Sequence, residues 1–158
     1  MTRLDNGDDF PVLTLDTVAD GTVSIPDWLS GRYGVVLMYR GSWCPYCNAQ
    51  LSGFARAKEK LDELGIGVVA MSVDGKADAA MLVEKHRLNF PVGYGVDAGK
   101  IAASTGACVN DSPRYLQSTG FVLDPGGRVI TAVYSSGAIG RLVAEDVIGF
   151  VRYVKSRA

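Results

Sequence analysis

An apolar run that leads directly into two closely spaced cysteines is the feature that most constrains the fold of this chain. The apolar run at residues 35–39 is followed by Gly41, and Cys44 and Cys47 are separated by only two residues before a helical pattern begins. A buried strand that turns directly into a helix explains this order. It places Cys44 in an exposed turn and Cys47 in the first helical turn. Pro45 suits the first helical position, where its fixed backbone dihedral fits and its missing N–H is not needed.

This position gives the two cysteines a chemical role. The thiolate is the reactive form of cysteine, and the dipole and unpaired amides at a helix N-terminus favour the anion, so Cys44 is a candidate nucleophile. The thiol of Cys47, almost one turn later, is close enough to attack a sulfur bonded to Cys44 and form a disulfide. Trp43, next to Cys44, is expected to form an apolar wall that limits access of solvent.

A C-x-x-C pair is also half of a zinc site, but zinc needs two further ligands, and the sequence offers only Cys108 and the single His86. A redox pair is therefore the favoured interpretation, and no metal or organic cofactor is expected. Cys108 is predicted to be a buried apolar residue, and the alternatives are a distal resolving cysteine and an intermolecular link. His86 lies among charged neighbours and is predicted to be a solvated helix residue.

The length and the charge of the chain narrow the class of protein. At 158 residues the chain is expected to form one domain over residues 1–158. Its 16 basic and 17 acidic residues argue against binding to nucleic acid or to a membrane surface. The amino terminus is polar, and no later segment has the roughly 18 unbroken apolar residues of a membrane span, so we expect a cytoplasmic protein. In a reducing compartment, such a cysteine pair is catalytic or redox-sensing.

Strands and helices alternate along the rest of the chain. An N-terminal hairpin turns at residues 20–21, and further strands are predicted at 66–73, 121–124 and 128–134, with a short extended piece at 90–92. Helices are predicted at 47–64, from 76 to about 88, at 97–105 and from about 143, and residues 108–117 are predicted to form a loop. The sum is an α/β domain with a central mixed sheet, helices on both faces and an N-terminal hairpin extension.

The order of these elements, with C-x-x-C at the start of the first long helix, resembles the thioredoxin fold. The motif Tyr-Arg-Gly-x-Trp-Cys-x-x-Cys at residues 39–47 resembles, more narrowly, the peroxiredoxin-like proteins of the alkyl hydroperoxide reductase and thiol-specific antioxidant family. Segments 88–92, 121–127 and 140–147 resemble later parts of the same family. The resemblance implies a thiol-dependent peroxidase that reduces a hydroperoxide, a thioredoxin-type protein as its reductant, and a homodimer.

The resemblance also places the landmark residues of the family. Peroxiredoxins carry Pro-x-x-x-Thr-x-x-Cys, and aligning its cysteine with Cys47 puts Cys44 at the threonine position and Arg40 at the proline position. The position of the cis-proline of thioredoxins, or of an arginine in peroxiredoxins, falls on Ser118, so that Arg114 would have to supply that arginine from the loop. Arg40 is a candidate for lowering a thiolate pKa or orienting a peroxide, and the alternative is a surface arginine paired with a carboxylate.

Two assignments of the attacking thiol remain open. By the logic of thioredoxins Cys44 attacks and Cys47 resolves, whereas by the logic of peroxiredoxins Cys47 becomes a sulfenic acid that condenses with Cys44. We favour Cys44, because the residue before a helix is normally more exposed than one in its first turn. The alternatives to a peroxidase are a reductase of protein or small disulfides and a redox sensor that changes a surface without turnover.

Overall fold

The computed structural model describes residues 3–158 and is built around a five-stranded mixed sheet with the strand order β5-β4-β3-β8-β9. The strands are β1 Leu13–Asp16, β2 Thr22–Ile25, β3 Tyr33–Met38, β4 Ile66–Met71, β5 Val92–Gly93, β6 Val109–Asp111, β7 Arg114–Leu116, β8 Thr119–Leu123 and β9 Val129–Tyr134. The helices are α1 Pro45–Arg56, α2 Lys58–Glu63, α3 Lys76–His86, α4 Ala98–Thr105 and α5 Ala144–Ser156. Two small sheets, β1-β2 and β6-β7, lie outside the central one.

Strand β3 is the middle strand of the main sheet, and every residue after its first is buried. It pairs in parallel with β4 and antiparallel with β8. Its side chains alternate between two cores: Val35 and Leu37 face one side, and Val36 and Met38 face the other. The unbroken apolar sequence is therefore that of a strand covered on both faces.

The two cores are built from different parts of the chain. On one face, helices α1, α2, α3 and α5 pack through apolar side chains that include Leu51, Phe54, Leu61, Leu82 and Val147. On the other face lie the N-terminal hairpin, α4 and β7, which contribute Leu13, Leu15, Val23, Ile101 and Leu116. This arrangement fixes α1 against the sheet so that its N-terminus meets the carboxyl end of β3.

The predicted fold class is confirmed, including the mixed sheet and the N-terminal hairpin, but two local predictions are wrong. The helix predicted at 47–64 is divided at Ala57, whose backbone leaves the helical region and lies between α1 and α2. Residues 108–117, predicted to be a loop, contain the hairpin β6-β7. These strands pair only with each other and are three residues long, so they carry little periodicity that a sequence could reveal. Within residues 3–158, no helix is long and apolar enough to cross a membrane.

Candidate active site

The two cysteines lie where the carboxyl end of β3 turns into α1. Cys44 is the N-cap residue of α1, with an extended backbone, and Pro45 is the first residue of the helix. The sulfur of Cys44 accepts a hydrogen bond from the backbone N–H of Cys47 at 3.3 Å. A sulfur thus takes the capping role that a serine or aspartate oxygen usually has, and the free amides of the helix end point toward it. This geometry favours a thiolate at Cys44.

Both cysteines are free thiols and both are completely buried, at 0% exposure. The expectation that Cys44 lies in an exposed turn is therefore wrong. The reason is that the neighbouring side chains fold over it: the Arg40 guanidinium lies 3.7 Å from its sulfur, and the rings of Trp43 and Tyr115 pack on that guanidinium. Trp43 itself is half-exposed, and it lies on the rim of the site rather than in its floor.

Trp43 is held against the strand end by a glycine. Its indole packs directly on Gly41, where a methyl group would lie 2.2 Å from the indole nitrogen. Its ring also meets the ring of Tyr115 edge to face, with the centroids 5.0 Å apart. Trp43 thus packs on Arg40 and Tyr115, the two side chains that it contacts next to the cysteine pair.

The side chain of Arg40 makes three polar contacts. Its Nε donates to Gln117 Oε1 at 3.1 Å, its Nη2 donates to Tyr115 Oη at 3.0 Å, and its Nη1 points at the Cys44 sulfur. No carboxylate lies within salt-bridge distance of Arg40 in the described part of the chain, residues 3–158. The interpretation of Arg40 as an arginine directed at the thiols fits this geometry, and that of a surface ion pair does not.

Cys47 has a second arginine beside it. Its sulfur accepts a hydrogen bond from the backbone N–H of Arg40 at 3.3 Å and one from Nη1 of Arg141 at 3.2 Å. The segment that carries Arg141 is tied to α1, because Gln50 Nε2 donates to the carbonyl of Leu142 at 2.9 Å. Sequence reasoning missed Arg141 as a site residue; the only signal was that it stands in the segment that resembles the opening of the final family helix.

The two thiols differ in acidity although both are buried. Burial raises the pKa of Cys44, but the hydrogen bonds from Cys47 and Arg40 and the charge of Arg141 outweigh it and hold the pKa below the usual cysteine value. Burial and the thiol hydrogen bond that Cys47 donates to Cys44 raise the pKa of Cys47, despite the donors of Arg40 and Arg141. The surroundings of the pair therefore favour the thiolate at Cys44 more than at Cys47.

Asp74, just after β4, organises the turn before the cysteines. Its Oδ2 accepts a hydrogen bond from the backbone N–H of Ser42 at 2.8 Å, and Asn48 Nδ2 donates to the Ser42 carbonyl at 3.0 Å. Burial raises the pKa of Asp74, and the hydrogen bond from Ser42 only partly opposes it. The carboxylate thus positions the turn at a cost in stability once it ionises.

Replacing Asp74 with asparagine should give a modest increase in stability at neutral pH, because asparagine keeps an acceptor for Ser42 and removes a buried charge. The folded chain holds the proton of Asp74 to higher pH than the unfolded chain does, so stability falls as the pH rises from the unfolded pKa, near 3.8, through the raised folded pKa. Thermal unfolding of both proteins between about pH 3 and about pH 7 measures this, and the two stabilities should converge at low pH, where Asp74 is protonated in the folded and the unfolded chain. A difference that is constant with pH would contradict the charge explanation.

The remaining sequence candidates lie outside this cluster. Ser118 is buried just before β8, and its carbonyl accepts the backbone N–H of Ser135 at 3.0 Å. Within residues 3–158, neither cysteine sulfur has a hydrogen bond to Ser118. Arg114 is exposed and pairs with Asp111 at 3.2 Å, so it does not supply the missing arginine.

Cys108 and His86 have other polar partners than the two thiols of the pair. Cys108 is partly buried, with Arg3 Nη2 3.5 Å from its sulfur. His86 is partly buried, and its Nδ1 lies 3.1 Å from Ser52 Oγ, so the prediction of a solvated residue is wrong: α3 packs its last turn against α1. Among residues 3–158, no three His, Cys, Asp or Glu side chains are grouped so that they could hold a metal ion.

A buried dithiol at a helix N-terminus, flanked by two arginines on a thioredoxin-like sheet, defines a thiol oxidoreductase. The sequence matches the AhpC/TSA family over residues 6–132. The chain therefore belongs to that family, the peroxiredoxins, which are thiol-dependent peroxidases. The family, the fold and the class of enzyme expected from the sequence are confirmed.

Individual relatives agree with this assignment. A peroxiredoxin of Treponema denticola is 27% identical over 145 residues, which cover 89% of this chain and 69% of that protein. A peroxiredoxin of Aeropyrum pernix is 26% identical over 157 residues, which cover 94% of this chain and 62% of that protein. The structure of peroxiredoxin 6 of Arenicola marina superposes with a TM-score of 0.84 at 17% identity, covering 96% of this chain and 74% of that one. The chain thus spans about two thirds of the length of the two curated relatives.

Proposed function

We propose that this chain reduces hydroperoxides with Cys44 as the attacking thiol and Cys47 as the resolving thiol, cycling between the dithiol and an intramolecular disulfide. The observation that carries the proposal is the position of Cys44 at the N-cap of α1, where its sulfur accepts the backbone N–H of Cys47 and faces the guanidinium of Arg40. Cys44 caps α1, faces Arg40 and has a lowered pKa, whereas the pKa of Cys47 is raised. A thiolate nucleophile and a protonated partner next to it are what such a cycle requires.

The first step joins sulfur to oxygen. The Cys44 thiolate attacks the terminal peroxide oxygen, the O–O bond breaks, and the alkoxide leaves as the alcohol after taking one proton. Cys44 is then a sulfenic acid. In the second step the sulfur of Cys47 attacks the sulfur of Cys44, the S–O bond breaks, and hydroxide leaves as water with the proton that Cys47 releases. The positive charges of Arg40 and Arg141 stabilise the negative charge that develops in both steps.

The cycle closes when a dithiol reductant, for which we propose a thioredoxin-type protein, exchanges with the disulfide. Cys44 and Cys47 become thiols again, and the two thiols of the reductant form a disulfide. We further propose that residues 1–158 act as one domain, that the protein works in the cytoplasm, where reductants keep the pair as thiols, and that it forms a homodimer, which light scattering tests. The chemistry of these steps uses side chains alone.

The opposite assignment, with Cys47 attacking, also has an observation in its favour. Arg141 Nη1 lies closer to the sulfur of Cys47 than Arg40 Nη1 lies to that of Cys44, at 3.2 Å against 3.7 Å. Cys47 also stands where the family motif has its cysteine. The raised pKa of Cys47 weighs against this assignment, because the attacking species is the thiolate.

A disulfide reductase is the second candidate function. The observation that favours it is that Cys44 stands where the family has its peroxide-binding threonine, and within residues 3–158 the side chains that donate to the two sulfurs, apart from the thiols themselves, are arginines. At that position the chain has a thiol in place of the alcohol that donates to the peroxide in the family. A redox sensor without turnover is the third candidate.

Turnover measurements separate the three functions. With a thioredoxin regenerating system in excess, we expect steady consumption of hydrogen peroxide and of an organic hydroperoxide, and little reduction of insulin disulfides. Rapid reduction of insulin without consumption of peroxide would replace the peroxidase with the disulfide reductase. Oxidation of the pair in a single event, with neither reaction turning over, would identify the sensor.

A further inference from the structure

We propose that Tyr115 and Gln117, on the hairpin β6-β7 and directly after it, are positioning residues that hold the guanidinium of Arg40 on the Cys44 sulfur. The hairpin thereby controls how readily Cys44 becomes a thiolate. This inference rests on the proposed role of Cys44 as the attacking thiol. It gives a function to a small sheet that lies outside the central one.

Two hydrogen bonds fix the orientation of the Arg40 guanidinium. A guanidinium is planar, and its N–H groups have fixed directions, so two hydrogen bonds are enough to orient the remaining ones. Gln117 Oε1 accepts from Nε at 3.1 Å and Tyr115 Oη accepts from Nη2 at 3.0 Å. With those two positions held, Nη1 is left pointing at the Cys44 sulfur.

Aromatic rings prevent the guanidinium from swinging away. Its central carbon lies 4.9 Å from the centroid of the Trp43 ring and 5.3 Å from that of Tyr115. These two rings meet edge to face. The arrangement is a cation–π clamp, and such contacts strengthen when water is excluded. Tyr115 therefore acts on Arg40 twice, through its hydroxyl and through its ring.

The polar partner Gln117 has no other evident reason to be buried. Its side chain is inside the protein, and its backbone N–H is bound to the Cys108 carbonyl at 2.8 Å, which closes the base of the hairpin. Burying an amide is unfavourable unless it is hydrogen-bonded, and Arg40 supplies the donor to its oxygen. A hydrogen bond to a charged group in such a buried site is among the stronger ones. The hairpin and the residue after it thus place two acceptor oxygens, Tyr115 Oη and Gln117 Oε1, at the positions where the guanidinium donates.

The test is the pH dependence of alkylation of Cys44, with the labelled cysteine identified by mass spectrometry. We expect iodoacetamide to label Cys44 first in the parent protein, with a midpoint below that of a free cysteine. In Tyr115→Phe and in Gln117→Leu the midpoint should move to higher pH, so that labelling at neutral pH falls about threefold in each and about tenfold in the double variant. At high pH, where every variant is a thiolate, the rates should converge.

Tyr134→Phe is the matched control. It removes a hydroxyl that donates to the carbonyls of Leu4 and Thr105 at 3.0 Å and 2.7 Å, far along the chain from the thiols. Its alkylation profile should superimpose on that of the parent, although its thermal stability is expected to fall. Tyr115→Phe keeps the ring that contacts Trp43, so its effect isolates the hydroxyl.

A double-mutant comparison with Arg40→Met decides whether the hairpin acts through Arg40. In that background Tyr115→Phe and Gln117→Leu should cause no further shift of the midpoint, because the group that they position is gone. Profiles of the single variants that match the parent, in proteins shown to be folded by circular dichroism, would overturn the inference. Preferential labelling of Cys47 in the parent would instead overturn the proposed function, so the two failures are distinguishable.

Discussion

Replacing Cys44 with serine is expected to reduce the steady-state consumption of peroxide by at least about a thousandfold, because removing the attacking atom of a covalent cycle removes almost all of its catalysis. A serine hydroxyl at this position stays protonated at neutral pH even with Arg40 and the end of α1 nearby. The replacement is small and fits the buried position, and serine also suits the N-cap of a helix. The measurement is peroxide consumption with excess reductant, together with thermal unfolding to confirm that the variant is folded.

The Cys47→Ser variant is expected to behave differently. Its Cys44 can still attack a peroxide once, but the neighbouring thiol that captures the sulfenic acid is gone, so turnover stops after one equivalent unless another thiol intervenes. Mass spectrometry should then find one added oxygen on Cys44, or its further oxidation products. Cys108→Ser serves as the control and should retain the activity of the parent, since the sulfur of Cys108 contacts Arg3 and has no role in the proposed cycle.

The reverse pattern would assign the roles the other way. If Cys44→Ser retains one turnover and accumulates an oxidised Cys47, then Cys47 attacks and Arg141 is its activating cation. If both variants consume peroxide as fast as the parent does, the pair is not the site of the reaction. Each outcome therefore names a different attacking residue or rejects the proposed chemistry.

The parts of this site that the sequence predicted are those fixed by local geometry. An unbroken apolar strand, a glycine and a proline-started helix place Cys44 and Cys47 within one helical turn, and no distant segment is needed to establish this. The central sheet followed for the same reason, because Val35 to Met38 alternate between two cores that are both apolar. The later antiparallel pair, predicted at 121–124 and 128–134 from two apolar runs with a turn between them, is present as β8 and β9.

The parts that the sequence did not predict come from segments far along the chain. Arg141 stands 94 residues after Cys47, and Tyr115 and Gln117 stand 75 and 77 residues after Arg40. Whether these side chains reach Cys47 and Arg40 depends on how the segment before α5 and the hairpin β6-β7 pack against the sheet. Local sequence patterns do not predict this packing. The burial of Cys44 was mispredicted in part for this reason, because Tyr115 from the hairpin joins the local side chains Arg40 and Trp43 in covering the turn.

Arg40→Met should shift the whole pH profile of the reaction rather than lower it uniformly. Arg40 helps to hold the pKa of Cys44 below the usual cysteine value, so its loss raises that pKa. The reactive thiolate forms as the pH rises through the pKa, and the variant should therefore be slowest relative to the parent at neutral and lower pH, by about tenfold for each unit of the shift. Above both pKa values the thiolate fractions become equal, and only the direct effect of Arg40 on the transition state should remain.

Arg40→Lys is the matched comparison, because it keeps the positive charge but cannot bond to Gln117, Tyr115 and Cys44 together. We expect its profile to lie between those of the parent and Arg40→Met. Stopped-flow rates of peroxide reaction between pH 5 and pH 10, a range that brackets the free cysteine pKa, measure all three. Equal losses of rate at every pH in Arg40→Met would mean that the arginine acts on the peroxide alone and not on the ionisation of Cys44. A lysine variant as slow as the methionine variant would show that the thiol is activated by the three directed contacts of the guanidinium and not by the positive charge alone.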